Sequence, residues 1–168
     1  MFQADLAYGQ SKEVEVARLI EEAGGAVLSF NDNGDYDFRC QYQGRVHLVE
    51  VKCEDKYSTS GNISVEVLQG KRISKPSGLH VSKANLFIHT LKERCVIYER
   101  GGMMQAVARR QSEFGTTSDD PLFKWFAKSD NGNGGYIIPI SRLESFPWFQ
   151  TIQLTDLALS SLWLDAKP

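Results

Sequence analysis

The chain has 168 residues, 42% of them hydrophobic and 24% charged, with a formal net charge of −2 and a pI near 5.9. That length is enough to bury a sizeable core within one domain, expected over residues 1–168 with a core at about 9–100 and a C-terminal elaboration at about 101–168. No apolar run approaches the ~18 residues of a membrane span, no signal-peptide pattern opens the chain, and the slightly acidic balance excludes a surface that is basic throughout.

Residues 12–23 place Val16, Ala17, Leu19, Ile20 and Ala23 at helical spacing, with Ser11 as N-cap and Gly24-Gly25 as the stop. A short strand is expected over residues 26–30, then a turn through Asn31-Asp32-Asn33-Gly34. Residues 38–42 alternate apolar and polar, Gln43-Gly44 marks a turn, and residues 45–52 alternate again, which together predict a β-hairpin. With a two-residue loop, Tyr42 faces Arg45 and Asp37 faces Glu50, their Cβ atoms roughly 4.5–5.5 Å apart. Lys52, two residues beyond Glu50, shares its face because strand side chains alternate. The same register sets Asp35 opposite Lys52, which favours Asp37 over Asp35 as the partner of Glu50. His47 has the opposite orientation to Glu50 and is expected to pack or meet solvent.

A polar loop follows, and residues 63–67 alternate as a further strand with Ile63, Val65 and Val67 on its apolar face and Ser64 and Glu66 on the other. The basic stretch Lys71-Arg72-Ile73-Ser74-Lys75 runs into Pro76-Ser77-Gly78, with His80 and Lys83 beyond. Residues 81–85 suggest one helical turn, residues 86–91 and 95–99 buried strands, and residues 103–112 a helix with Arg109-Arg110 in its last turn, where cations suit the dipole. Loops are expected at 115–120 and 129–135, a strand at 136–138 and a terminal helix at 155–164. Phe123, Trp125, Phe126, Trp148 and Phe149 are dense enough to be core or an oligomer interface before they are base-stacking groups. The order of elements implies an α/β fold, a mixed sheet flanked by helices. Cys40, Cys53 and Cys95 are odd in number and contain no CxxC pair; this argues against a disulfide or zinc framework and for a reducing, cytoplasmic setting.

The ordered set Glu13, Asp37, Glu50 and Lys52 resembles the PD-(D/E)xK nuclease superfamily, whose core is a helix carrying a glutamate followed by a hairpin carrying D…(D/E)xK. The likeness rests on Glu13-Val14-Glu15-Val16-Ala17, Asp35-Tyr36-Asp37-Phe38 and Val49-Glu50-Val51-Lys52, and spans about residues 9–91. Within the superfamily it is similar to small phage and archaeal junction-resolving enzymes and to some homing endonucleases. Ser60-Gly61-Asn62, Glu66 and Lys75-Pro76-Ser77-Gly78 resemble, more loosely, a segment of phage-type members.

The resemblance implies a restriction-endonuclease-like fold and a metal-dependent DNA endonuclease, structure- or site-directed, acting in a bacterial or phage-infected cell. A non-cleaving DNA-binding relative and an RNA-directed nuclease are the alternatives. It implies Mg²⁺, with Mn²⁺ as substitute, held by Asp37, Glu50 and the Val51 main-chain carbonyl; the ion would acidify a bound water and offset phosphorane charge. Lys52 would orient that water or neutralise the transition state. Glu13 and Glu15 compete as the helix carboxylate, Glu13 lying nearer the centre of the buried stripe. Lys71, Arg72, Lys75, Ser77 and Lys83 are the expected backbone contacts to DNA, Glu66 a possible extension of the acidic cluster, and a homodimer the natural arrangement for paired cuts.

Overall fold

A computed structural model describes residues 2–54, 59–70, 74–115, 123–128, 132–160 and 162–165. The first helix, α1 (Phe2–Glu22), begins well before the expected start. Ser11 is therefore an interior residue rather than a cap: its hydroxyl donates back to the Tyr8 carbonyl at 2.7 Å, a local bond open to a serine within a helix. Gly24, at φ 90°, ends the helix as expected. Ten strands follow among the described residues: β1 (Ala26–Phe30), β2 (Phe38–Tyr42), β3 (Arg45–Cys53), β4 (Asn62–Gln69), β5 (Lys75–Pro76), β6 (Leu86–Leu91), β7 (Arg94–Glu99), β8 (Lys124–Lys128), β9 (Asn133–Pro139) and β10 (Phe149–Gln153). Among the described residues there are also helices α2 (Arg100–Phe114), α3 (Ile140–Leu143) and α4 (Leu162–Asp165) and the 3₁₀ segments Gly78–His80 and Leu154–Leu159.

The strands form two sheets rather than the single one expected, with orders β1-β2-β3-β6-β7-β10 and β5-β4-β9-β8. The first is mixed, since β3 and β6 run parallel while its other neighbours are antiparallel. Strand β4 has the predicted alternation, with Ile63, Val65 and Val67 buried. That apolar face needs a cover, and β4 finds it in a second sheet beside β9.

Each face of the six-stranded sheet has its own core. Val16, Ala17 and Ile20 of α1 pack on Phe38, Cys40, Val49, Val51 and Ile88, with Trp163 of α4 in the same cluster. His47 is buried there, its ring edge-on to Trp163 with centroids 5.0 Å apart. On the other face Phe87, Val96 and Tyr98 meet the apolar side of β4, Tyr136 and Ile138 of β9, and Met103 and Val107 of α2.

Several expected boundaries differ. The glycine-rich run 133–135 is not loop but the start of β9, and residues 81–85 hold no helical turn, the 3₁₀ turn lying earlier at Gly78–His80. The expected terminal helix is split: the 3₁₀ segment gives way at Ser160, which is extended (ψ 129°), before α4. Phe123 and Phe149 are core, and Trp125 and Trp148 pack against it. Cys40 and Cys95 are buried and Cys53 exposed, and none of the three forms a disulfide; burial pushes the first two thiols up to about 12. Among the described residues no helix is long and apolar enough to cross a membrane.

Candidate active site

The β2–β3 hairpin has the register read from the sequence, with Phe38 opposite Val49 and Tyr42 opposite Arg45. Gln43 and Gly44 carry φ 47° and 78°, the doubly positive turn that a two-residue hairpin loop requires. Asp37 lies just before β2. Its N–H donates to the Val49 carbonyl at 2.9 Å, and its Oδ2 accepts the Val51 N–H at 2.6 Å. The side chain thus takes a bond that a continued β2 backbone would otherwise make. A strand residue turns its N–H and C=O to the same side, so the Val51 carbonyl also faces the Asp37 side. Oδ1 of Asp37 has no hydrogen-bond partner among the described residues.

Glu50 is 8% exposed and held at both oxygens. Lys52 Nζ lies 2.5 Å from Oε1, and the Ser82 hydroxyl shares its one proton between Oε2 at 3.1 Å and the Asp35 carbonyl at 3.0 Å. Burial pushes the Asp37 carboxyl up to about 6, with Glu50 adding to the shift and the Val51 N–H and Lys52 opposing it. Burial works against the charge on Lys52, but Glu50, Asp37 and Glu66 outweigh it and hold the ammonium above its ordinary range. Glu13, on α1, is raised by burial, lowered by Lys52 and raised by Glu50. It therefore belongs to the same electrostatic cluster, whereas Glu15 is paired with Lys12 at 2.8 Å. Asp35 does not meet Lys52: its carboxylate takes Lys83 Nζ at 2.8 Å, and its carbonyl takes the Lys83 N–H at 2.6 Å.

The expected nucleic-acid contacts are less unified. Lys71 and Arg72 lie outside the described residues. Lys75 is exposed on β5, and Lys83 is exposed but engaged with Asp35. Ser77 is 6% exposed and its hydroxyl donates to Glu66. His80 lies in the 3₁₀ turn, its carbonyl accepting from Arg100 at 3.2 Å; burial, then Arg100, lowers its ring.

Sequence reasoning missed three features. Ser82 reaches Glu50 from a loop 32 positions away, with no motif to announce it. Glu54, His89 and Tyr98 form a buried chain, Glu54 Oε1 lying 3.2 Å from His89 Nδ1 and the Tyr98 hydroxyl 3.0 Å from Nε2. Burial would raise Glu54, but hydrogen bonds from His89 and Ser64 hold it below its ordinary range. The parallel register that sets Lys52 beside His89 was the one clue, and it needs the sheet order to be read. Third, a cavity of about 180 Å³ opens beside Lys52 between β3 and β4, and Glu66 lines its far wall.

Among the described residues no three His, Cys, Asp or Glu side chains form a ready metal cage. Mg²⁺ asks for less, since it keeps several waters and takes one or two carboxylates. The donors fit that demand: Asp37 has an uncommitted oxygen and a carboxyl raised by burial and then by its neighbour Glu50, two effects that a cation between them would oppose. Compared with known proteins, the chain matches no family model, no curated protein and no solved structure.

Proposed function

We propose that this chain is a Mg²⁺-dependent endonuclease with a restriction-endonuclease-like fold, hydrolysing DNA at a specific structure or site. The observation that carries the reading is the convergence at one hairpin end of Asp37, buried Glu50 and Lys52, tied by the 2.6 Å Asp37–Val51 bond and the 2.5 Å Lys52–Glu50 pair. Asp37, Glu50 and the Val51 carbonyl would hold the ion. When bound, it would lower the pKa of a water and offset charge growing on the phosphate. Glu50 is kept in place by Ser82 and Lys52. Lys52, 43% exposed at its side chain, is open to a substrate and cationic, as a group that neutralises a transition state must be. Glu13 adds a carboxylate from α1 to the same field. Paired cuts would come from a homodimer, each copy supplying one such site.

The test is a substrate panel of four-way junctions, linear duplex, plasmid and single-stranded RNA, run with Mg²⁺, with chelator and with Glu50→Gln. Metal-dependent cleavage of DNA by the wild type alone supports the reading; cleavage of RNA in preference to DNA transfers it to RNA. A second reading, a DNA-binding relative that does not cut, is favoured by one observation: Glu50 already has a partner at each oxygen. DNA binding without cleavage under Mg²⁺ or Mn²⁺ would establish that reading instead.

A further inference from the structure

The cavity beside Lys52 is not needed to hold a phosphate, and its walls have a chemistry of their own. Lys52 on β3 lines it at the half-exposed mouth, Ser64 and Glu66 on β4 line it from the other sheet, and Leu79 and Phe87 border it with the buried Glu54–His89–Tyr98 chain. The wall groups are fixed from behind. Ser64 donates its hydroxyl proton to Glu54 at 2.5 Å, so only its lone pairs remain for a visitor. The Glu66 carboxylate accepts from Ser77 and, at 2.6 Å, from Asn133 Nδ2, which holds it in one orientation facing Lys52, whose charge it supports. Ser64 and Glu66, the groups on the far wall, therefore accept and cannot donate, while Lys52 donates at the mouth.

Size narrows the occupant. An apolar cavity of about 150 Å³ takes one benzene ring, so about 180 Å³ suits a single six-membered ring and is short for a purine. The Phe87 ring, 2% exposed and stacked on Tyr98 with centroids 5.4 Å apart and planes at 11°, bounds the space as an apolar edge that sets its width. A ring that offers an amine to the far wall and a carbonyl to the mouth matches this polarity; a ring with carbonyls at both ends does not.

We propose that the cleft receives one unpaired nucleobase next to the bound phosphate, with a preference for an aminopyrimidine (cytosine), and that Glu66 is the residue that sets this preference. The inference rests on the nuclease reading above, because that reading puts a strand at Lys52. Cytosine presents its N4 amine as a donor, the group that acidic side chains recognise, whereas thymine would set its O4 against the Glu66 carboxylate. Extruding a base costs least where it is already unpaired, in keeping with a structure-directed enzyme.

The experiment uses the full chain and duplexes with one unpaired nucleotide (C, T, A, G or abasic), followed by fluorescence anisotropy in chelator and by cleavage of the same duplexes in Mg²⁺. Cytosine should bind roughly tenfold more tightly than thymine or the abasic site, and Glu66→Gln, able to donate as well as accept, should erase most of that ratio. The wild-type series decides even if the variant folds poorly. Equal affinity for all five duplexes, with cleavage intact, overturns the base-reading proposal and leaves the nuclease reading standing. Failure to bind any of them also overturns the base-reading proposal, while the nuclease reading is decided separately by the panel of junctions, duplex, plasmid and RNA.

Discussion

Asp37 Oδ2 accepts the main-chain N–H of Val51 at 2.6 Å, so one carboxylate ends the β2–β3 pairing and faces the strand residues Glu50 and Lys52. Structure and charge can be separated there. In Asp37→Asn the amide oxygen can still accept the Val51 N–H, so the hairpin end should persist while the negative charge is lost. In Asp37→Ala the part-buried N–H loses its acceptor, at a cost of about 1–3 kcal/mol. Calorimetric Mg²⁺ binding and cleavage should fail in both variants, while urea unfolding should show a marked loss only in Asp37→Ala.

The raised carboxyl of Asp37 makes a signed prediction. Its folded value of about 6 lies above the ordinary 3.8, so between those two pH values the native state binds more protons than the unfolded chain. Its contribution to stability is then complete below about 3.8 and lost as pH rises through about 6. Asp37→Asn removes that loss. The variant's melting temperature relative to wild type should be higher at pH 7.5 than at pH 4, and Mg²⁺ at neutral pH should narrow the difference by stabilising the wild type. A difference that does not change with pH would count against the assignment.

Glu13 and Glu15 separate in the same manner. Glu13 feels Lys52 and Glu50; Glu15 pairs with Lys12 in a part-exposed (i, i+3) contact, of the class worth only a few tenths of a kcal/mol. Glu13→Gln should reduce the cleavage rate and alter its Mg²⁺ dependence. Glu15→Gln should leave both near wild type, as measured by single-turnover kinetics across a Mg²⁺ titration.

What the sequence revealed and what it hid follow from the range of the interactions. The hairpin register was readable because a two-residue loop with φ positive at Gln43 and Gly44 leaves one pairing, and one pairing sets Asp37 toward Glu50. The buried stripe of α1 was readable because Val16, Ala17 and Ile20 recur at its period. The start of α1 was not, since Ser11, a residue that favours caps, is tolerated inside the helix by bonding back to the Tyr8 carbonyl. Nor was the second sheet: the alternation of β4 says that one face is covered, not by which strand. The glycines at 134 and 135 hid β9, although Gly135 sits where the chain can tolerate nothing larger, a Cβ there coming 2.9 Å from Glu66 Cα. Ser82, Glu54 and His89 reach the site through contacts that arise only once β3 and β6 lie parallel.

Gly78 links that second sheet to the site. It sits at φ 47°, and a Cβ there would come 2.5 Å from the Glu66 carbonyl oxygen, a main-chain atom that cannot swing aside. Gly78→Ala should push the 3₁₀ turn off β4 and disturb the Ser77–Glu66 bond. Stability should fall by about 1–3 kcal/mol, the usual range for strain in a packed site, measured by chemical denaturation. Gly101, which has nothing within 4 Å of its would-be Cβ, is the control: alanine there should be neutral or slightly stabilising, as expected for a helical glycine.

Lys52 offers the sharpest division between binding and chemistry. Its ammonium lies 2.5 Å from Glu50 Oε1, with a side chain 43% exposed, so it is both anchored and open to a substrate. Lys52→Ala removes one partner of a buried carboxylate, yet Ser82 still donates to Glu50 Oε2, and the strand has its full ladder to β6. The fold should therefore survive with a modest loss of stability. If Lys52 neutralises charge that develops only during phosphodiester cleavage, the loss falls on turnover. The single-turnover rate should drop roughly 10²–10³-fold, as for removal of one preorganised donor, with DNA affinity within a few-fold of wild type. A variant that instead binds DNA far more weakly but cleaves at an undiminished rate when saturated would make Lys52 a ground-state contact, and catalysis would have to be sought elsewhere.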